Sequence, residues 1–473
     1  MSTVMPLSSA RRRRAWLRGL IAWLVIVVLV AALLFSQRDR IVAGAEAYLY
    51  GYPLVIMAVT RSQAALSVGP ENQLRRVRQF PDASFKGVVR PNVDTLYTTA
   101  FIDMAQGPWV FEMAANDQRY EVMPFMDAWT NVFAAPGTRA SGTGGGKFLL
   151  VGPTWRGTVP QGMRLLQSPT RIVWLIGRTQ THGTADYPLV HRLQDGVTLQ
   201  RWADGATGSV THRVTHGAAA QPAWQASAEP TRPPFEQVQA LSTEAFFTRL
   251  AALMVDNPAA AADGPMLARL SSLGITPGQP LRWSLLDRWC VSLGRWVADF
   301  KLARELKKPR QGVRGWSTPP RNLGQYGIDY ATRAGVAMVG LGANLAADAL
   351  YPNAQVDGQG EPLDGSRRYR LHFKAGELPP VKAFWSVTAY GADDYLIANP
   401  MQRYALGDRD PLVFNADGSL DLWIQADEPA ADKKNNWLPV KAGARFLLNA
   451  RLYWPEDAAL DGRWGMPAVE RLH

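Results

Sequence analysis

Asn92 and Asp94 stand two apart in the run Val89-Arg90-Pro91-Asn92-Val93-Asp94-Thr95-Leu96-Tyr97. Residues two apart on a β-strand point to the same side, so on a strand this amide and this carboxylate face the same way. Asp127-Ala128-Trp129-Thr130-Asn131 repeats the combination, and Arg178 closes a strand-like run that starts at Arg171. A few convergent polar groups between aromatic walls are what a concave small-molecule site uses. The same residue types have a structural use, because Asn and Asp tie off turns through their own backbone. Both readings stand at the level of sequence. If the site is catalytic, Asp94 is its acid or base, with a pKa set by burial and an arginine neighbour. A second carboxylate or a histidine close to Asp94 would mark catalysis; a lining of aromatic rings and amides would mark binding.

Several common chemistries find no support. The nearest approach to a nucleophile elbow, Gly315-Trp316-Ser317-Thr318-Pro319, lacks the second glycine. Gly142 to Lys147 resembles a phosphate loop, but Ser141 stands where its first glycine belongs and Phe148 where a magnesium-binding hydroxyl is needed. Gly340-Leu341-Gly342 has Leu345 in place of the third glycine of a dinucleotide fingerprint. His212 and His216 are four apart in a Gly- and Ala-rich stretch, with no glutamate after His212 to complete a zinc helix. Cys290 is the single cysteine, which excludes an intramolecular disulfide and a cysteine-based zinc site. No metal and no cofactor is expected.

The elements that must hold these residues are mostly β in texture. WVFEM (109–113), YEVMPF (120–125), KFLLVG (147–152) and RIVWLIGR (171–178) are short apolar runs separated by Gly- and Pro-containing turns. YRLHF, FWSVTAY and DLWIQ repeat the texture after residue 365. Phe446, Leu448, Ala450, Leu452 and Trp454 alternate with Arg445, Leu447, Asn449, Arg451 and Tyr453, so one face of that strand is apolar and the mixed face is a candidate pocket wall. Residues 203–234 are poor in apolar side chains and read as a linker or long loop. A helical block follows. Ser242 or Thr243 caps a helix with Phe246, Phe247, Leu250, Leu253 and Met254 on one face, and another helix ends at Gly274. A helix near 285–302 carries Trp289, Leu293, Trp296 and Phe300 at helical spacing, an aromatic stripe expected in the core. The expected fold is mainly β with a helical insert: two β-sandwich or barrel-like domains, at 45–202 and 321–473, joined by a linker and helical segment at 203–320.

In front of this body, Gly19 to Phe35 is a run of 17 uncharged, almost wholly apolar residues. With its flanks it reaches the length needed to cross a hydrocarbon core of about 30 Å. Residues 19–37 are read as a transmembrane signal-anchor helix and 1–18 as a basic cytoplasmic N-terminus. Arg11 to Arg14 and Arg18 precede the run and only Arg38 and Arg40 follow it, which puts the body outside the inner membrane. A cleaved signal peptide is the competing reading, although Leu34-Phe35-Ser36 makes a poor cleavage site. Residues 1–40 hold seven of the 51 basic residues and one of the 40 acidic ones. The remaining excess is mild and without the basic stripe of a nucleic-acid surface. The expected partners are the bilayer, through residues 19–37, a small-molecule ligand and a further copy of the chain; nucleic acid is not among them.

Longer stretches carry a family resemblance. VVRPNVDTLYTTAFIDMAQGPWVFEM, DAWTNVFAAPGTR and FLLVGPTW resemble the bacterial domain of unknown function 1254. ADALYPNAQVDGQGEPLDGSRRYRLHF, LPPVKAFWSVTAYGADDYLIANP, NADGSLDLWIQ, NNWLPV and RLYWP resemble its companion, domain of unknown function 1214. The resemblance implies a mostly β two-domain protein, often exported, and implies no reaction. Residue by residue it marks Asn92, Asp94, Tyr97, Trp129, Asn131 and Arg178 in the first domain, and Trp385, Tyr390, Asn436, Trp437 and Arg451 in the second. A ligand held between the domains would pack on Trp129, Trp385 and Trp437 and be oriented by Asn92, Asp94, Arg178 and Arg451. An enzyme centred on Asp94 and a structural protein of the cell envelope are the alternatives.

Overall fold

Apolar residues at a period of two give each long strand one face for a core, and four open sheets result. The computed structural model describes residues 9–67, 69–87, 89–116, 118–202, 232–307, 312–317 and 320–472. His212, His216 and nearly all of the 203–234 loop lie outside the described residues. A six-stranded sheet contains β1 (Thr95–Asp103) and β2 (Ile172–Gln180) as antiparallel neighbours. It faces a four-stranded sheet built from Trp109–Met113, Gly146–Val151, Met163–Gln167 and Thr198–Arg201. Ala100, Ile102, Val173 and Leu175 from the first sheet meet Trp109, Phe111, Phe148 and Leu150 from the second to fill the space between. The second half repeats the plan. A five-stranded sheet contains β3 (Val381–Gly391) and β4 (Phe446–Pro455), and a four-stranded sheet is built around Arg368–Phe373 and Leu420–Gln425. Trp385, Val387, Leu448, Ala450 and Leu452 pack there on Tyr369, Leu371, Phe373 and Leu422. Among the described residues none of the sheets closes into a barrel.

Helix occupies 35% of the protein against 25% strand, so the expectation of a mainly β molecule is corrected to one of sheets and helices together. The reason lies in α2 (Arg38–Ser67), which continues from α1 (Ser9–Ser36) through the single residue Gln37. By sequence, residues 44–66 read as a helix leading from the anchor into the body and interrupted near Pro53; α2 instead runs through Pro53. α2 is long and apolar enough to span a membrane but is buried in the body, under Pro234–Gln239, Thr243–Asp256, Gly264–Ser272, α3 (Leu285–Lys307) and Tyr330–Val339. Its Tyr48, Tyr50, Leu54 and Val55 join Phe246, Phe247 and Leu250 in one core. That core continues onto Phe101, Trp174 and Ile172 on the outer face of the six-stranded sheet. The helices therefore pack as a layer on this sheet. Within this layer Ser242 caps its helix as the sequence indicates, accepting from the amide of Ala245.

The aromatic stripe of α3 is the second correction. Trp296 is 62% and Phe300 54% exposed. The face of α3 turned to α2 is instead Val291, Gly294 and Ala298, where the absence of a side chain lets backbones close. A Cβ on Gly294 would stand 2.3 Å from the carbonyl oxygen of Ile41. α1 is exposed along its whole apolar length and is a candidate membrane-spanning helix.

Candidate functional site

Each long strand pair has a second face, and these two faces meet each other. On β1 and β2, Tyr97 is paired with Arg178, Thr99 with Ile176 and Phe101 with Trp174. On β3 and β4, Phe384 is paired with Tyr453, Ser386 with Arg451 and Thr388 with Asn449. Even-numbered residues of β3 and odd-numbered residues of β4 therefore turn away from their sandwich core and toward the first sandwich. The seam between the two sandwiches is where most of the polar residues marked in the sequence lie.

Asp94 is at its centre and 1% exposed. Its Oδ2 accepts a 2.7 Å hydrogen bond from Ser386, and its Oδ1 is paired with Arg409. Arg409 also donates to the backbone oxygens of Asp94 and Thr181, at 3.1 and 3.2 Å. The guanidinium of Arg451 stands 3.9 Å from Asp94 Oδ2 and donates to Thr388 Oγ1 at 2.7 Å, Tyr390 Oη at 2.6 Å and the Arg90 carbonyl at 3.2 Å. Tyr390 in turn donates to the Pro91 carbonyl at 2.7 Å. Asn92 does two things. Its Oδ1 accepts from the amides of Asp94 and Thr95 at 2.7 and 3.1 Å, which fixes the turn that presents Asp94. Its Nδ2 reaches Tyr453 Oη at 2.8 Å and Tyr97 Oη at 3.3 Å. The structural and the site-forming uses of this asparagine coincide.

Arg178 is different in kind. It is buried, and its hydrogen bonds go to neutral oxygens: the Ile176 and Gly342 carbonyls at 2.9 and 2.7 Å and Asn344 Oδ1 at 2.6 Å. It lies 5.1 Å from the ring centre of Tyr97. Among the described residues no carboxylate forms an ion pair with it; Asp348, which feels its charge, is engaged by Arg139 at 2.6 Å. Burial pushes the Tyr351, Tyr390 and Tyr453 hydroxyls above their ordinary pKa, opposed by the nearby arginines, so all three stay protonated donors. Tyr97 and Tyr351 are intermediate in burial beside the buried Arg178. Chemically this part of the seam offers hydroxyl donors and a guanidinium, groups that suit an anion.

Carboxylates other than Asp94 are present. Burial pushes Asp408 up to about 6, with Arg409 opposing and Asp94 adding to the effect. Its side chain remains 33% exposed, so solvent screens part of that shift. At the end of β3 and β4 a cleft of about 520 Å³ opens between Arg139 on one side and Lys382, Trp454, Glu456 and Arg463 on the other.

Six of the marked residues thus come together: Asn92, Asp94, Tyr97, Arg178, Tyr390 and Arg451. The others are elsewhere. Trp129 sits under α2 with its ring 4.8 Å from Tyr50, and its indole nitrogen donates to the carbonyls of Asn257 and Pro258. Asn131 closes the turn on Asp127, to which its side chain donates at 3.2 Å. Trp385 packs on Phe373 inside the second sandwich, 5.4 Å between ring centres. Trp437 donates to the Gln425 carbonyl at 2.9 Å, and Asn436 beside it ties Val413 to Asp421. Ser386, Arg409, Asn344 and Tyr351 are the seam residues that sequence reasoning missed. Ser386 had a signal in the alternation of FWSVTAY; Arg409 and Asn344 lie on irregular segments and had none.

Residues 71–201 match the family model described as Protein of unknown function (DUF1254), and residues 348–457 the one described as Protein of unknown function (DUF1214). β1 and β2 fall in the first match and β3 and β4 in the second, so the seam is formed where the two regions meet. The crystal structure of the VPA0106 protein from Vibrio parahaemolyticus is similar in fold. It has a TM-score of 0.69 at 22% identity, over 92% of this chain and 100% of that one. The crystal structure of an uncharacterized protein from Burkholderia cenocepacia has a TM-score of 0.45 at 11% identity, over 94% and 96% of the two chains. No curated protein matches this chain.

Proposed function

This chain joins a DUF1254 region to a DUF1214 region, and on that footing we propose that it is a membrane-anchored binding protein for a small carboxylate-bearing molecule. α1 holds it in the inner membrane with the N-terminus in the cytoplasm, and the body stands in the periplasm. The ligand lies in the seam, its carboxylate against Arg178, Tyr97 and Tyr351, with Asn92 and Asn344 holding these groups in place. Asp94, Arg409, Ser386 and Arg451 lock the two sandwiches at the distance the ligand needs. The observation that carries this reading is Arg178, a buried guanidinium paired, among the described residues, with neutral oxygens only. A buried cation without a counter-charge is costly, and an arriving carboxylate supplies that charge in a planar geometry that arginine matches.

The test is thermal unfolding of the full chain against mono- and dicarboxylates, with neutral sugars as the comparison. A ligand at a hundred times its dissociation constant adds about 2.7 kcal/mol of stability. Stabilisation by carboxylates that is lost in Arg178→Lys and Tyr351→Phe, both still folded, supports the proposal. Stabilisation by neutral sugars alone, or by carboxylates equally in both variants, overturns it.

One observation favours a second reading, an enzyme using Asp94. Asp408 is a second carboxylate near it, its pKa pushed up by burial against the opposing Arg409, the direction a general acid needs. Under this reading Asp408→Asn removes turnover of the bound carboxylate and leaves its binding intact.

A further inference from the structure

α3 exposes an apolar seam that the described residues of its own chain leave uncovered. Leu286, Trp289, Leu293, Trp296 and Phe300 recur at alternating steps of three and four, the spacing of a two-helix seam. Leu286, Trp289, Trp296 and Phe300 are 37%, 40%, 62% and 54% exposed, and Leu293 is half-buried. Trp296 and Phe300 stack with ring centres 5.6 Å apart, so the seam is ordered before anything covers it. Contiguous exposed aromatic surface of this kind marks an interaction site.

The direction of α3 identifies what covers the seam. Arg40 pairs with Asp287, Gly44 lies against Val291, and Arg295 lies over the ring of Tyr48, so α2 and α3 run side by side in the same direction. α2 is in turn the continuation of α1, because Gln37 donates to Leu33 and Ile41 donates to Gln37 in unbroken helical register. α3 therefore starts level with the end of the apolar α1 and runs away from it. Leu285 to Phe300 spans about 22 Å along the axis at 1.5 Å per residue, so a lipid surface at the end of α1 reaches only the first turn. Two copies inserted in one bilayer in the same sense present this seam parallel, at the same height and in the same register.

We propose that a second copy of this chain covers the α3 seam, giving a parallel two-fold dimer with its axis along the membrane normal. Confinement to one bilayer raises the effective concentration of the partner, so a seam of one helix is sufficient. The inference takes the membrane anchoring of α1 as its premise and is independent of what the sandwich seam binds.

The test uses the full chain in phosphatidylethanolamine–phosphatidylglycerol vesicles, with the wild type, whose Cys290 is buried, as the background for oxidation. Trp296→Cys, on the seam, is expected to form a disulfide-linked dimer on mild oxidation, at least tenfold more than Lys301→Cys on the flank. Trp296→Glu combined with Phe300→Glu, both at exposed positions, is expected to cut dimer formation at least tenfold, read by bifunctional amine cross-linking, with an unchanged circular-dichroism spectrum that shows the fold is kept. Equal cross-linking from the two cysteines, or a dimer that survives the double glutamate variant, overturns the proposal. A Trp296→Cys label quenched by lipid-borne nitroxides overturns it as well. Floating the vesicles separates the premise: chain that fails to float shows that α1 is no anchor, whereas floating chain without the cross-link refutes the dimer alone.

Discussion

Ser386 donates a 2.7 Å hydrogen bond to Asp94, 292 residues earlier in the chain, and through it the two sandwiches are joined at a buried charge. The partner Arg409 and the neighbouring Arg451 leave Asp94 with two cations and one hydroxyl around a single carboxylate. The seam is therefore cationic once Arg178 is included, and several consequences can be measured.

Asp94→Ala removes the carboxylate beside Arg451 and leaves Arg409 with the more distant Asp408, 3.8 Å away. Breaking a buried pair by removing one member costs about 3–5 kcal/mol, and chemical denaturation should show a loss of that size. Arg409→Met is expected to cost less, since its side chain is 13% exposed. The double variant should lose less than the sum of the two, a coupling that a double-mutant cycle reads directly.

Asp127 gives the protein a pH signature. Burial pushes it up to about 6, with hydrogen bonds from Asn131 opposing. The folded state keeps its proton up to about pH 6, while the unfolded chain releases it near the usual carboxylate value of about 3.9. The contribution of Asp127 to stability is thus full below about pH 4, falls as pH rises through 6, and is flat above. Measured against Asp127→Asn, which does not titrate, the wild type should lose about 2–3 kcal/mol of relative stability between pH 4 and pH 8. A flat difference across that range would show that Asp127 stays ionised in the fold.

Gly294 sets the approach of α3 to α2. Gly294→Ala places a methyl 2.3 Å from the Ile41 carbonyl oxygen, backbone that can only move by shifting a helix. Overpacking of this kind costs about 1–3 kcal/mol, seen as an earlier unfolding midpoint. Gly19→Ala, with nothing within 4 Å, should leave the midpoint unchanged.

The tryptophans separate packing from binding. Trp385→Ala empties a core position and should cost about 3–5 kcal/mol. Trp129→Ala is expected to behave alike. If the ligand sits against Arg178, variants at both positions keep the carboxylate-induced stabilisation at a temperature where they are folded. Loss of that stabilisation in Trp129→Ala alone would move the ligand to the layer under α2.

Much of this protein is local and was legible in its sequence. The apolar run of α1, the Ser242 cap, and the period of two along β1 to β4 depend on residues a few positions apart. So does the mixed face of Leu447, Asn449, Arg451 and Tyr453, because alternation fixes which side chains leave a strand on the same side. What covers a face is not local. Arg178 and Arg451 on solvent-like faces became buried only because two sandwiches meet. Ser386, Arg409 and Asn344 reached the seam through contacts 292, 315 and 166 residues apart in the chain, which no spacing encodes. α2 and the aromatic stripe of α3 show the same limit in opposite directions. Both are apolar helices by sequence, yet one is wrapped by five others and the other is left facing outward, since periodicity gives a helix its faces and only tertiary packing gives each face a neighbour.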